Sequence, residues 1–147
     1  MGELPAEARD RVRAMALTLV GALVLFGVVV GLYALLVGFD RLEEAPVKAV
    51  ARAGERELVV QYVGGTPGCG DPDGVTVDES DDAVVLTGRT VLRHATRWGG
   101  YACPAVEVPM LTTVRLADPL EGRPVRDGVR EVEVTVHDDV AALVEAS

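Results

Sequence analysis

Hydrophobic and polar positions divide this chain into two unequal parts. From Ala14 to Phe39 there are 26 residues without one Asp, Glu, Lys, Arg, His, Asn or Gln. About 20 apolar residues cross a bilayer core, and one charge at mid-span costs about 2.5 to 3.5 kcal/mol. A soluble core helix of this length shows a polar face, and this run shows none. A cleaved signal peptide has an apolar stretch of about 7 to 15 residues with a small-residue cleavage site straight after it. Here the stretch is longer, and the tidy small-x-small site, Ala49-Val50-Ala51, lies well past its end. The pattern predicts an uncleaved signal-anchor, one transmembrane helix over 14–39. The 13 residues before it are too few for a folded domain and read as a cytoplasmic tail.

Beyond the span the period changes. Residues 40–54 are polar with one Pro and read as a stalk, with at most a helical turn near Val47 to Ala53. Glu57 to Val63 is a strand by its Val and aromatic content. Thr66 to Gly74 is a Gly/Pro/Asp-rich loop. Val75 and Val77 alternate with polar residues, Ser80-Asp81-Asp82 turns the chain, and Val84 to Arg93 returns as a hairpin partner. Val106, Val108, Met110, Thr112, Val114 and Leu116 give the longest alternation. Pro109 within it cannot donate to a ladder and predicts an edge or a bulge. Gly122 to Val125 is a short strand, Asp127-Gly128 a tight turn, and Val132, Val134 and Val136 the last strand. Residues 138–147 read as a tail or a short helix capped by Asp138 or Asp139. The fold class expected is therefore a single N-terminal transmembrane α-helix plus a small mainly-β ectodomain over 55–137, an antiparallel sandwich or open barrel.

Charge and cysteines bear on orientation. Each flank of the span carries three basic residues: Arg9, Arg11 and Arg13 before it, Arg41, Lys48 and Arg52 after it. The count decides nothing, but Asp40, Glu43 and Glu44 crowd the C-terminal edge. Both cysteines, Cys69 and Cys103, lie beyond the span and read as one disulfide of an oxidising compartment. Two reduced buried thiols in a cytosolic domain are the alternative. The expectation is a cell-membrane protein with its N-terminus cytoplasmic and its C-terminal domain extracytoplasmic. All of the net charge of −9 sits beyond the span, which argues against nucleic acid and against lying flat on anionic lipid.

The catalytic inventory is thin. Two serines occur, Ser80 and Ser147, and no G-x-S-x-G, H-E-x-x-H or phosphate loop. His94 and His137 share no ligand-like spacing. Asp71, Asp73, Asp78, Glu79, Asp81 and Asp82 are expected as solvated turn acids, since Pro72 and Val75 break a calcium-loop pattern. No metal and no cofactor is expected. The best surface candidate is the loop holding Arg93, His94, Arg97, Trp98 and Tyr101, because Trp, Tyr and Arg dominate binding hot spots. The competing reading, favoured for a small domain, folds Trp98 and Tyr101 over the disulfide as core. In the span, Gly27, Gly31, Ala34 and Gly38 fall on one helical face, which would let a second helix approach and form a homodimer. Arg123 and Asp127 read as an ion pair bracing the last hairpin.

Tyr62-x-Gly64-Gly65, Cys69, Val75-x-Val77 leading to Glu79-Ser80, Cys103-Pro104-Ala105-Val106, and Val114-Arg115-Leu116-x-x-Pro119-Leu120-x-x-Arg123-x-Val125-x-Asp127 form an ordered set. Over about Leu58 to Asp127 the chain resembles a group of small extracytoplasmic β-domain proteins of high-GC Gram-positive bacteria, secreted or held by one membrane anchor. The resemblance implies location and fold and transfers no catalytic residue.

The function expected is a membrane-tethered extracytoplasmic module that binds a protein or cell-envelope partner and is not itself an enzyme. Two other classes compete: an envelope enzyme working through carboxylates such as Asp78 and Glu79, and a regulatory or sensory subunit of a membrane complex.

Overall fold

The structure, a computed structural model, describes residues 6–99 and 102–145. Helix α1 (Ala6–Leu36) is followed by strands β1 (Arg41–Ala45), β2 (Val47–Arg52), β3 (Glu57–Gly64), β4 (Cys69–Glu79), β5 (Val84–Leu92), β6 (Val108–Arg115), β7 (Val125–Asp127) and β8 (Val136–His137), and by helix α2 (Ala141–Glu145). The chain is thus an apolar N-terminal helix joined to a mainly-β domain of two sheets. The helix is long and apolar enough to cross a membrane, and no residue of its most apolar stretch is buried by the rest of the protein. It stops at Leu36, three residues before the apolar run does.

The first sheet is organised on β5. Its whole length pairs antiparallel with β4, from Cys69↔Leu92 to Glu79↔Val84. Its other edge is shared: β1 pairs antiparallel with its second half, Arg41↔Leu92 to Ala45↔Gly88, and β7 pairs parallel with its first three residues. The second sheet has the order β6-β3-β2-β8, antiparallel except for the parallel β2/β8 pair. Between the sheets lies one core containing Val47, Val50, Leu58, Val60, Tyr62, Val84, Leu86, Val125 and Val134. The period of two explains the selection in β3: Leu58, Val60 and Tyr62 face inward and are fully buried. Tyr62 lies against Gly88, where an added Cβ would come within 2.8 to 2.9 Å of its side chain and 2.7 Å of the Ala45 carbonyl.

Two expectations need correction here. The segment 40–54 is not a stalk, because it supplies β1 and the inner strand β2. Its apolar residues do not alternate with polar ones because β2 is covered on both faces. Val47 and Val50 face the core, while Ala49 and Ala51 pack under Leu143 of α2. A strand covered on both sides reads as a continuous apolar run. The domain therefore begins at Arg41. The last strand is also shorter than its alternation suggests. Glu131 takes a left-handed φ of 57°, and the hairpin with β7 shrinks to one bridge, Arg126↔Glu133. The chain then crosses to the second sheet, where only Val136 and His137 pair.

Other expectations hold. Pro109 sits in β6, an edge strand. The C-terminal segment forms the short helix α2, with the Asp139 carboxylate accepting the Ala141 N–H at 2.9 Å as a cap. Cys69 and Cys103 are bonded, with Cα atoms 5.5 Å apart.

Candidate functional site

Antiparallel pairing decides where the aromatic-basic loop lies. Because Arg41 stands opposite Leu92, the residues before Arg41 must meet the residues after Leu92. Those are the end of α1 and the loop singled out by its composition. The last carbonyls of a helix have no partner within it, and here the loop supplies one. The Trp98 N–H donates to the Leu35 carbonyl at 2.8 Å. The Phe39 N–H donates to the Thr96 hydroxyl at 2.8 Å.

Gly38 makes this approach possible. Its φ is +84°, and a Cβ there would lie 2.8 Å from the Arg97 nitrogen and 2.9 Å from the His94 carbonyl. A side chain would be both strained and obstructed. Gly38 is therefore a glycine of the helix stop and not, as the spacing suggests, part of a packing face in the span. Gly27 and Gly31 do lie on the helix with open space around them, and Ala34 is partly covered.

An ion-pair chain ties the same corner. Arg93 donates from Nε to Asp71 at 3.0 Å and from one terminal nitrogen to Asp40 at 2.9 Å. The His94 N–H donates to the other Asp40 oxygen at 3.0 Å. The His94 N–H and then Arg93 hold the Asp40 carboxyl below its ordinary range. The Gly68 N–H and Arg93 do the same for Asp71, and these two acids raise Arg93 in turn. Arg93 is thus a clamp between Asp40, just before β1, and Asp71 of β4, through its Nε and one terminal nitrogen. His94 takes a left-handed φ of 52°, and its carbonyl accepts the Arg97 N–H at 3.0 Å to close a tight turn.

The remaining members face outward. Arg97 is exposed, and among the described residues no carboxylate pairs with it. Trp98 is 80% exposed, so it does not fold over the disulfide as core. Tyr101 lies outside the described residues. An indole so exposed adds little to folding, and Trp98→Ala is expected to change stability by no more than about 0.5 kcal/mol. Urea denaturation of the detergent-solubilised full chain measures this. A loss of several kcal/mol would return Trp98 to the core.

The acidic residues are distributed by strand geometry. Asp78 and Glu79 are neighbours in β4, so their side chains leave on opposite faces and form no carboxylate pair. Glu79 accepts the Ala117 N–H at 2.7 Å, the Asp118 N–H at 3.4 Å and Arg123 at 3.3 Å. These donors, the Ala117 amide first, outweigh desolvation and lower its pKa. Asp73 pairs with Arg89 at 2.9 Å, while Asp78, Asp81 and Asp82 are exposed.

The expected Arg123–Asp127 pair does not form. Arg123 belongs to Glu79 and also donates to the Pro119 carbonyl at 2.9 Å. Asp127 is fully buried and pairs with Arg130. Neither residue type nor spacing identified Asp127 as the buried charge. Its signal would have been the invasion of a polar residue into a position that β7 turns inward.

On the outer face of the second sheet a small depression of about 120 Å³ lies between the Lys48–Glu107 ion pair, Val63 and Pro109. Small-molecule sites are typically ~300 to 1,000 Å³, so this one is too small to hold such a ligand.

Comparison with known proteins returns no match: no family model, no curated protein and no solved structure is similar to this chain.

Proposed function

We propose that this chain is a single-pass membrane protein whose extracytoplasmic β-domain binds a protein or cell-envelope partner and performs no chemistry of its own. Helix α1 would be the uncleaved signal-anchor, with its N-terminus in the cytoplasm, and the protein would belong with the small extracytoplasmic β-domain proteins it resembles. The observation that carries this reading is the clasp at the helix exit. Leu35, Gly38, Phe39 and Asp40 are all engaged by residues 93–98, so the domain is joined to its span without a slack linker. A protein built to present a surface at a fixed height gains from such a joint. The disulfide agrees with an oxidising compartment. The same joint favours the regulatory reading as a second choice, since it would pass a displacement of the domain to the helix.

The domain offers its partner the part of the second sheet's outer face that α2 leaves uncovered, towards the edge strand β6. Leu111 is 52% exposed there, beside the partly buried Val59 and Val63. A photoreactive residue at Leu111 in cells is expected to give one discrete adduct, and the same residue at Asp82 none. A reporter active only outside the cytoplasm, fused after Ser147, is expected to work, and a cytoplasmic reporter to stay silent. The reversed reporter pattern would sink the location. Absence of an adduct from every exposed face would sink the binding role.

A further inference from the structure

We infer that the turn at residues 94–98 seats the β-domain on the outer leaflet, with Trp98 and Arg97 among the phospholipid headgroups. The protein then meets the bilayer at two places, the span and this loop. The inference rests on the membrane-span reading given above.

Depth is the first argument. Counted from Ala14, about 20 helical residues at about 1.5 Å each fill a hydrocarbon core of ~30 Å and end at Tyr33. Leu35 lies two residues, about 3 Å, further along. The headgroup layer adds about 5 to 7 Å on each side of the core. The Trp98 amide is one hydrogen bond from the Leu35 carbonyl, so the indole is attached within that layer.

The second argument is what gathers there. Tyr33, Phe39 and Trp98 are three of the six aromatic residues in the chain. Tyr33 and Phe39 lie with ring centroids 5.4 Å apart and planes tilted by 48°, both are about half exposed, and among the described residues the indole of Trp98 is left 80% exposed. In water three such rings at one corner would be an unexplained apolar patch. At a membrane surface they form the aromatic belt expected where a helix leaves the core, because an indole offers an apolar face and one N–H donor.

The third is charge. Of the arginines that composition places in or beside this loop, Arg89 is paired with Asp73 and Arg93 with Asp40 and Asp71. Arg97, next to Trp98, has no carboxylate partner among the described residues. An exposed guanidinium at headgroup depth matches a lipid phosphate in charge and donor geometry. The turn is also held in place, by Asp40 on His94 and by Thr96 under the Phe39 amide. It presents both side chains without further ordering.

Trp98 is the only tryptophan, so the unaltered full chain reports on its own loop. After reconstitution into phosphatidylcholine vesicles, its emission is expected to shift to shorter wavelength than in urea. Lipids brominated close to the headgroup should quench it more than lipids brominated deep in the chain, and aqueous iodide should quench it little. Arg97→Glu is expected to weaken the bromolipid quenching. If the protein resists alkaline carbonate, and so is inserted, yet Trp98 is quenched by iodide and not by bromolipid, the seat is overturned and the span stands. If carbonate extracts the protein, the span reading falls and this inference with it. Quenching unchanged in Arg97→Glu overturns the assignment of that side chain.

Discussion

Asp127→Ala is expected to cost the domain about 2 to 4 kcal/mol, because a buried carboxylate that two backbone amides donate to is removed and each buried donor left without an acceptor costs about 1 to 3 kcal/mol, while its ion-pair partner Arg130 is half exposed and can turn to water. Asp127 has no exposed surface. One carboxylate oxygen accepts the N–H groups of Val47 and Val129, each at 3.2 Å. The other accepts Arg130, which also donates to the Val47 carbonyl. A single side chain thus joins the end of β7 in the first sheet to the start of β2 in the second. Alanine would leave the Val47 and Val129 amides without acceptors, each with its own desolvation cost, and would leave Arg130 only the Val47 carbonyl and solvent. Against a total stability of about 5 to 15 kcal/mol, that loss puts folding itself in question. Asp127→Asn keeps the shape and one acceptor oxygen, so its loss should be smaller. It remains measurable by urea denaturation if alanine prevents folding.

The same carboxylate gives a pH dependence of definite sign. Burial alone would raise its pKa, but hydrogen bonds from Arg130, the Val47 amide and the Val129 amide outweigh burial and hold it below 3.8. A carboxyl with a depressed folded-state pKa contributes stability that is complete above its unfolded value. That stability is lost as pH falls through the folded value. The stability gap between wild type and Asp127→Asn should therefore be full at neutral pH. It should close as pH falls below about 4, where the unfolded chain begins to bind protons. A gap that persists in acid would mean that the negative charge does not matter and that only shape does.

The apolar run and the alternating strands were legible because they depend on local period alone. β6 turns every second residue inward, and the sequence displays that alternation directly, while β3 shows itself by its Val and aromatic content. β1 and β2 were hidden for opposite reasons. Residues of β1 are exposed except Ala45, so Leu42, Glu43 and Glu44 look like a solvated linker. β2 is covered by the core on one side and by α2 on the other, so its pattern lacks a polar phase. The place of the aromatic-basic loop depends on which strands pair, and no local pattern states that. Trp98 and Leu35 are far apart in sequence and meet only because β1 returns along β5. The composition of the loop marked it as unusual. Its position at the end of α1 makes it a clasp on that helix and not a patch over the disulfide. The ion pair expected between Arg123 and Asp127 fails for a related reason. Glu79 and Arg130 reach these two residues first, one from across the fold and one from the next turn.

Replacing both Cys69 and Cys103 by Ser is expected to cost up to about 4 kcal/mol, the loop-closure value for a ring of this size. The cysteines are 34 residues apart, so the ring constrains a large part of the unfolded domain. In the folded state the bond also has a local task. Residues 102–107 are exposed and lie outside any strand. Besides the disulfide, their ties among the described residues are a turn from Val106 to Pro104 and the surface pair of Glu107 with Lys48, and a surface pair is worth at most about 1 kcal/mol. Without the disulfide this segment would leave β4, while residues 93–98 would stay on the helix through Asp40, Thr96 and Leu35. Freedom gained by the folded protein offsets part of what the unfolded chain gains, so about 4 kcal/mol is the upper end. Urea denaturation of the full chain in detergent, with and without reductant, should show a lower midpoint on reduction. The slope should be steeper, because an uncrosslinked chain exposes more surface when it unfolds. Equal midpoints would mean that the bond holds together nothing that the strands do not already hold.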